Sequence, residues 1–254
     1  MMMLEPDMTT HAPDGFAAPF PLDLGGHALF LDFDGTLAGL QSNPDTVFLS
    51  PERISLLQSL AARMNSALAV VSGRDVRDLD RRIPGDIWRV GGHGSDICAP
   101  GQRPRAYAPA APDSLHRALF ELTNEHPGTR LEVKGPVLAL HYRQVPDARE
   151  ALNRKLGEIL DHQPGYALQA GKMVFEAKPD GANKARAIAR LMQMPPFRGR
   201  KPVMVGDDVT DEDGMREAID RGGRAIKVGD GNTVADDRLA DPQQVWAWLE
   251  DALG

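Results

Sequence analysis

Cysteine and long apolar runs are both scarce in this sequence. Cys98 is the only cysteine in 254 residues, so the chain can form no internal disulfide. A single thiol suits a reducing compartment, and we expect a cytoplasmic protein. No apolar run approaches membrane-spanning length, and the first residues lack a basic start followed by an apolar stretch. The sequence therefore predicts neither a membrane partner nor a secretory signal.

Positive charge is the other shortage. Lys and Arg total 29 against 36 for Asp and Glu, a formal net charge of -7, which argues against nucleic acid as the main partner. Hydrophobic residues make up 42% of the chain, enough for a sizeable core. Residues 1–24 are rich in Pro, Asp, Thr and Ala, and they predict a flexible N-terminal extension.

The remaining sequence changes its pattern twice. Apolar runs alternate with amphipathic segments in residues 25–102 and again in residues 178–254. This alternation predicts one α/β core domain with a doubly wound, Rossmann-like parallel sheet. Residues 103–177 instead contain alternating strand patterns and two helical segments. We expect them to form an inserted α+β cap domain.

The run LFLDFDGTLAGL is the most informative segment. Its apolar strand ends at Asp32 and Asp34, with Phe33 between them turned to the opposite face. One carboxylate can attack an electrophile and help bind a cation, while the other can transfer protons. Gly35 permits a sharp turn, and Thr36 adds a hydroxyl. An Asp-rich turn after an ordinary strand is the alternative interpretation.

Three later segments favour chemistry over that alternative. In PVMVGDDVTDEDGM a second apolar strand ends in acids, and clustered acids repel one another unless a cation such as Mg²⁺ lies between them. Ser72 and Gly73 follow another strand and can bind phosphate through a hydroxyl and backbone N–H groups. Lys184, near a helix start, can supply positive charge to an anionic transition state. Taken alone, a Ser-Gly pair after a strand is more often an ordinary turn, and a lysine near a helix start is more often a surface residue.

The order of these four pieces resembles the haloacid dehalogenase superfamily of aspartate-nucleophile phosphatases. Finer segments, including VVSGR, GGHG, LEVKGPVLALHYR, GKMVFEAKP and GDDVTDED, resemble the bacterial trehalose-6-phosphate phosphatase family. The resemblance covers residues 27–250 and implies a sugar phosphate substrate, Mg²⁺ as cofactor and functional coupling to the synthase that makes that substrate. Ala185 departs from the family pattern, which usually has Gly after the motif lysine.

The resemblance also implies roles. Asp32 would attack phosphorus, Asp34 would act as general acid and then general base, and Ser72, Gly73 and Lys184 would bind the transferring phosphoryl group. Mg²⁺ would be bound by Asp32 and Asp34, the latter through its backbone carbonyl, and by a second acidic pair. That pair is Asp207 and Asp208. Asp208 and Asp211 would also order this loop or act through water.

Sugar recognition is expected from charged side chains of the cap. Glu132 and Lys134 alternate onto one strand face, and Glu176 lies in a neighbouring predicted strand. Arg74 follows the phosphate-binding turn and is added to this set. A solvated sheet face with cross-strand ion pairs is the alternative interpretation. The weaker candidates are His93, Arg143, Lys172 and Lys178.

Two other functions stay open at this point. A related sugar phosphatase with the same cap would act on sucrose-phosphate or on a glucosyl- or mannosylglycerate phosphate, and a substrate panel would separate these activities. A non-catalytic, phosphosugar-sensing partner of the synthase belongs to another class. The presence of Asp32, Asp34, Lys184 and Asp207 argues against it, because a binding module needs no pair of catalytic acids. A phosphomutase is disfavoured, since nothing singles out a bisphosphate intermediate.

Overall fold

A computed structural model describes residues 19–41, 43–105, 110–171 and 173–254. Within them, the core contains a seven-stranded sheet in the order β11-β10-β9-β1-β2-β3-β4. Its strands are β1 His27–Leu31, β2 Leu68–Val71, β3 Trp88–Gly91, β4 Asp96–Cys98, β9 Lys201–Gly206, β10 Arg224–Val228 and β11 Asp237–Leu239. All neighbours pair in parallel except β3 and β4, which form an antiparallel edge. The doubly wound α/β prediction is confirmed, with this antiparallel strand added.

The register of the central strands determines where the polar residues meet. Leu31, the last residue of β1, pairs with Val70 of β2 and Val205 of β9. The apolar residues of these strands are completely buried, as expected for a parallel sheet covered on both faces. Because parallel strands end at the same edge, the residues that follow β1, β2 and β9 are brought together.

Helices flank both sheets in the described part of the chain. They are α1 Pro51–Arg63, α2 Val76–Asp80, α3 Asp113–Glu125, α4 Arg149–Asp161, α5 Lys184–Leu191, α6 Glu212–Asp220 and α7 Pro242–Asp251. Helix α5 begins after Asn183, whose side chain accepts a hydrogen bond from the Arg186 backbone N–H and so caps the helix. This cap places Lys184 in the first turn, at the sheet edge. None of the described helices has the length and apolarity needed to cross a membrane.

A second, antiparallel sheet has the order β5-β6-β8-β7 and packs against α3 and α4. Its strands are β5 Arg130–Lys134, β6 Val137–His141, β7 Tyr166–Gly171 and β8 Val174–Pro179. Strand β8 continues two residues past the predicted cap boundary at residue 177, because Lys178 and Pro179 still pair with β7. Of the predicted flexible extension, residues 1–18 lie outside the described residues. Leu22 is buried in the core and Phe20 and Leu24 pack against it, so the packed structure begins earlier than predicted.

Candidate active site

Asp32 and Lys184 form the centre of the site. Asp32 follows β1 and is only 5% exposed, and Lys184, 2% exposed, donates from Nζ to Asp32 Oδ1 at 2.6 Å. Nζ also donates to Oδ1 of Asp211 at 2.5 Å. Burial alone would lower the pKa of Lys184, but the two carboxylates raise it above its usual value. Lys184 is therefore a permanent positive charge at the sheet edge.

Asp32, Asp207 and Asp211 form an acidic cluster in which one carboxylate oxygen from each lies within 4.8 Å of the others. Burial, and then the negative charges of Asp211 and Asp208, raise the pKa of Asp207 to about 7. Burial and Asp211 likewise raise the pKa of Asp32 well above its usual value. One lysine does not compensate this density of negative charge. Hard carboxylate oxygens so arranged suit a Mg²⁺ ion.

The backbone after Asp34 also approaches this cluster. Gly35 has a φ of 84°, and a β-carbon at this position would clash with the Asp207 carboxylate. Glycine is therefore needed for the Asp34–Gly35 peptide to lie beside Asp207. This proximity is compatible with the expected cation contact through the Asp34 carbonyl. The Thr36 hydroxyl, in the same turn, is buried and has no hydrogen-bond partner among the described residues.

Asp208 and Asp211, both expected to order the loop after β9, have different positions relative to the acidic cluster. Asp208 does not belong to the acidic cluster: its side chain accepts from the Val209 backbone N–H and caps the 3-10 turn Val209–Asp211. Asp211 is fully buried and accepts the backbone N–H groups of both Asp207 and Asp208 through Oδ2. The prediction that Asp208 is the second metal-side acid therefore does not match the geometry. The turn directs Asp211 inward instead.

Asp34 is held by Arg74. The guanidinium donates from Nε and Nη2 to the two carboxylate oxygens of Asp34, each at 2.6 Å, and from Nη1 to Asp78 at 2.9 Å. Burial alone would lower the pKa of Arg74, but the contacts with Asp34 and Asp78 raise it. Arg74 thus neutralises and orients the carboxylate of the predicted general acid.

Ser72 and Gly73 lie at the tip of β2, beside the end of β1. Ser72 is buried, and its Oγ accepts the Arg74 backbone N–H at 3.1 Å, which leaves the hydroxyl proton available to an anion. His93 lies against Gly73 and contacts the cap, a position that the sequence patterns did not specify.

Of the three predicted cap residues, Glu176 contacts the core, and Glu132 and Lys134 line the space between core and cap. Glu176 is 5% exposed; its Oε1 accepts from Lys134 Nζ at 3.1 Å, and its Oε2 lies 2.9 Å from His93 Nε2. Burial alone would raise the pKa of Glu176, but His93 and Lys134 lower it well below its usual value. Glu132 pairs with His141 at 2.7 Å. The cross-strand ion pairs of the alternative interpretation are therefore present, and Glu132, Lys134 and His141 line a space that Asp34 and Arg74 also line.

A cavity of about 1310 Å³ separates the two sheets. Asp34 and Arg74 line its core side, and Glu132 and Lys134 line its cap side. Among the weaker candidates, Arg143 lines this cavity, and Lys178 is buried with a pKa lowered by burial. Lys172 lies outside the described residues. The charged lining suits a polar ligand, and Arg74 on the core side is a group that can bind an anion.

A doubly wound core with acids at its strand tips and an inserted antiparallel cap defines a haloacid dehalogenase-like hydrolase. A family model described as trehalose-phosphatase matches residues 30–238. The chain belongs to this family, whose members are phosphoric monoester hydrolases.

Named relatives and solved structures agree with this assignment. The chain is 40% identical over 232 residues to an Escherichia coli trehalose-6-phosphate phosphatase, covering 88% of this chain and 85% of that one. It is 36% identical to a probable trehalose-phosphate phosphatase of Sinorhizobium fredii, covering 85% and 83% of the two chains. The C-terminal domain of C. albicans trehalose-6-phosphate phosphatase superposes with a TM-score of 0.78, covering 94% and 99%; at 21% identity this shows the fold alone.

Proposed function

We propose that this protein hydrolyses trehalose 6-phosphate to trehalose and phosphate, with Mg²⁺ as cofactor and through an aspartyl-phosphate on Asp32. The proposal depends on one arrangement: Lys184 bridges Asp32 and Asp211 at the sheet edge, and Asp34, two residues after Asp32, lines a cavity whose opposite wall is formed by polar cap residues. The names of the relatives supply the identity of the sugar. Phosphate release from trehalose 6-phosphate, measured against sucrose-phosphate and the glycosylglycerate phosphates, tests it.

In the first step a carboxylate oxygen of Asp32 forms a bond to phosphorus while the bond from phosphorus to the sugar oxygen breaks. Asp34, in its protonated form, gives its proton to that leaving oxygen. Arg74 donates two hydrogen bonds to the Asp34 carboxylate. We infer that Arg74 binds the phosphate of the substrate instead, and that Asp34 is then free to transfer a proton. Asp34 then alternates between acid and base.

In the second step a water molecule attacks the phosphorus of the aspartyl-phosphate. Asp34, now ionised, removes a proton from that water, and the bond to Asp32 breaks to give phosphate. Ser72, Gly73 and Lys184 bind the phosphoryl oxygens throughout, so the developing charge is matched by donors that are already in place.

The proposed Mg²⁺ site comprises Asp32, Asp207 and the Asp34 carbonyl, with Asp211 completing the acidic cluster. A bound Mg²⁺ would offset the charge of the carboxylates and of the phosphate oxygens. Functional coupling to the synthase and a cytoplasmic location both stay predictions.

Removal of the metal should abolish turnover. We expect excess chelator to eliminate phosphate release, Mg²⁺ to restore it, and Ca²⁺ to restore it poorly, because its larger and more flexible shell disturbs the in-line geometry. Since Asp207 has a pKa of about 7, protons compete with the metal below neutral pH. Adding Mg²⁺ to the metal-free protein should therefore raise its Tm more at pH 8 than at pH 6. Full turnover in excess chelator would remove the metal from the mechanism.

Changes in the cap should affect the sugar substrate selectively. Glu176→Ala and Lys134→Ala, made separately, should lower kcat/KM for trehalose 6-phosphate by about ten- to hundredfold, because each leaves polar partners unpaired in a closed site. Para-nitrophenyl phosphate has no sugar and should be affected much less. Glu158→Ala and Lys155→Ala, at exposed positions of α4, are the matched controls. Equal losses for both substrates would mean that these side chains serve cap folding or closure instead.

A further inference from the structure

The turn Gly92–Gly94, between β3 and β4, has an unusual backbone. All three residues have positive φ angles, 54° at Gly92, 54° at His93 and 107° at Gly94. Glycine adopts this region readily, but a histidine there is strained and must be stabilised by its surroundings. Strained residues of this kind concentrate at functional sites. The contacts of His93 show what the conformation achieves.

The turn is joined to the phosphate-binding turn of the core. The Gly92 N–H donates to the Arg74 carbonyl at 2.7 Å, and the His93 N–H donates to the Ser72 carbonyl at 3.0 Å. The imidazole lies against Gly73 so closely that a β-carbon there would lie 2.6 Å from His93 Cε1. Any side chain at position 73 would displace the ring.

The same turn contacts the helix that carries Lys184. A β-carbon on Gly94 would lie 2.5 Å from the carbonyl oxygen of Asn183, the residue that caps α5. The turn is therefore packed between the phosphate-binding turn and the start of α5, and its geometry is fixed from both sides.

The ring of His93 is directed at the cap. It is 4% exposed, and Nε2 lies at ion-pair distance, 2.9 Å, from Oε2 of Glu176. Nε2 is not aligned for a hydrogen bond, and Nδ1 has no partner in the described part of the chain. The Glu176 carboxylate is thus the close polar contact of this buried ring in the described part of the chain, and the ring connects the core turn to the cap.

We propose that His93 is a positioning residue that fixes the Glu176 carboxylate of the cap against the Ser72–Gly73 turn of the core. The inference rests on the proposed function and deepens it. Glu176 contacts the sugar and the turn contacts the phosphate, so the ring of His93 sets the separation between the two subsites. The imidazole itself makes no sugar contact and takes no part in phosphoryl transfer. The site would favour substrates in which the distance from the phosphate to the sugar groups contacted by Glu176 matches this separation.

A double-mutant cycle on His93 and Glu176 tests this role. Asn tolerates positive φ but is too short to reach Glu176, so His93→Asn should lower kcat/KM for trehalose 6-phosphate about ten- to hundredfold, mainly through KM. The loss for para-nitrophenyl phosphate should stay below about threefold, and His93→Gln, whose longer amide can approach Glu176, should recover part of the activity. Adding His93→Asn to Glu176→Ala should cause little further loss, because residues acting as one unit are not additive.

His116→Asn, at an exposed position of α3, is the matched control and should keep wild-type kinetics and Tm. Losses that multiply in the double variant, or that are equal for both substrates, would overturn the inference. If His93→Asn fails to fold, His93→Gly preserves the backbone conformation and enters the same cycle. A wild-type protein inactive on trehalose 6-phosphate would refute the proposed function instead. The cycle would then be measured with the sugar phosphate of the panel that is hydrolysed best. Non-additive losses for His93→Asn and Glu176→Ala would still support the role of His93, and additive losses would overturn it.

Discussion

Asp32→Asn should reduce kcat by about ten-thousand-fold or more, which corresponds to roughly 5 kcal/mol of barrier. The amide has nearly the size of the carboxylate, but it is a poor nucleophile and a weaker metal ligand. Folding should be preserved, because Lys184 keeps its ion pair with Asp211 and because one member of a crowded acidic cluster is neutralised. We therefore expect a Tm equal to or above that of the wild type.

The measurement combines steady-state phosphate release with a thermal unfolding curve. Asp161→Asn, at the exposed end of α4, is a control that removes one carboxylate charge from the surface. Turnover by Asp32→Asn within about tenfold of the wild type, a barrier change of roughly 1.4 kcal/mol, would exclude Asp32 as the nucleophile. A large loss of activity accompanied by a large drop in Tm would point to a structural role.

The central strands and the acids at their tips could be predicted from the sequence because both depend on local pattern. A buried parallel strand is a continuous apolar run, and a polar residue at its end is conspicuous. Parallel strands end at one edge, so three such ends predict one site without any knowledge of long-range contacts. The register of Leu31 with Val70 and Val205 confirms that Asp32, Ser72 and Asp207 follow neighbouring strand ends.

Other features depend on information that the local pattern lacks. Strand β11 has no sequence signature, because Asp237–Leu239 is short and mostly polar and is stabilised by its pairing with β10. The contact between His93 and Glu176 joins a turn of the core to a strand of the cap, residues far apart in the sequence. A histidine between two glycines in GGHG was the only available sign, since glycines allow the close approaches that such a turn needs.

Local pattern also does not specify which of Asp208 and Asp211 joins the acidic cluster. Both acids follow β9, and a continued extended strand would point alternate residues to one side. The chain instead enters a 3-10 turn whose N-cap is Asp208, and this turn brings Asp211 back beneath the strand end. Neighbouring backbone N–H groups, which need an acceptor at the start of the turn, determine the outcome.

Asp211→Asn should therefore be far more damaging than Asp208→Asn. Asp211 accepts from Lys184 through Oδ1 and from the Asp207 and Asp208 backbone N–H groups through Oδ2. Asparagine has one oxygen and one NH₂ group and cannot keep both sets of contacts, so Asp211→Asn, unlike Asp32→Asn, leaves buried donors unpaired at about 1–3 kcal/mol or more. We expect kcat to fall by more than about a hundredfold and Tm to fall by roughly 5 °C or more. Asn at position 208 can still cap the turn through its side-chain oxygen, so Asp208→Asn should lose less than about tenfold, with little change in Tm. Both variants remove one charge from the same loop and thus serve as controls for each other. Similar losses in the two variants would show that net charge in this loop, rather than the buried contact of Asp211 with Lys184, controls the site.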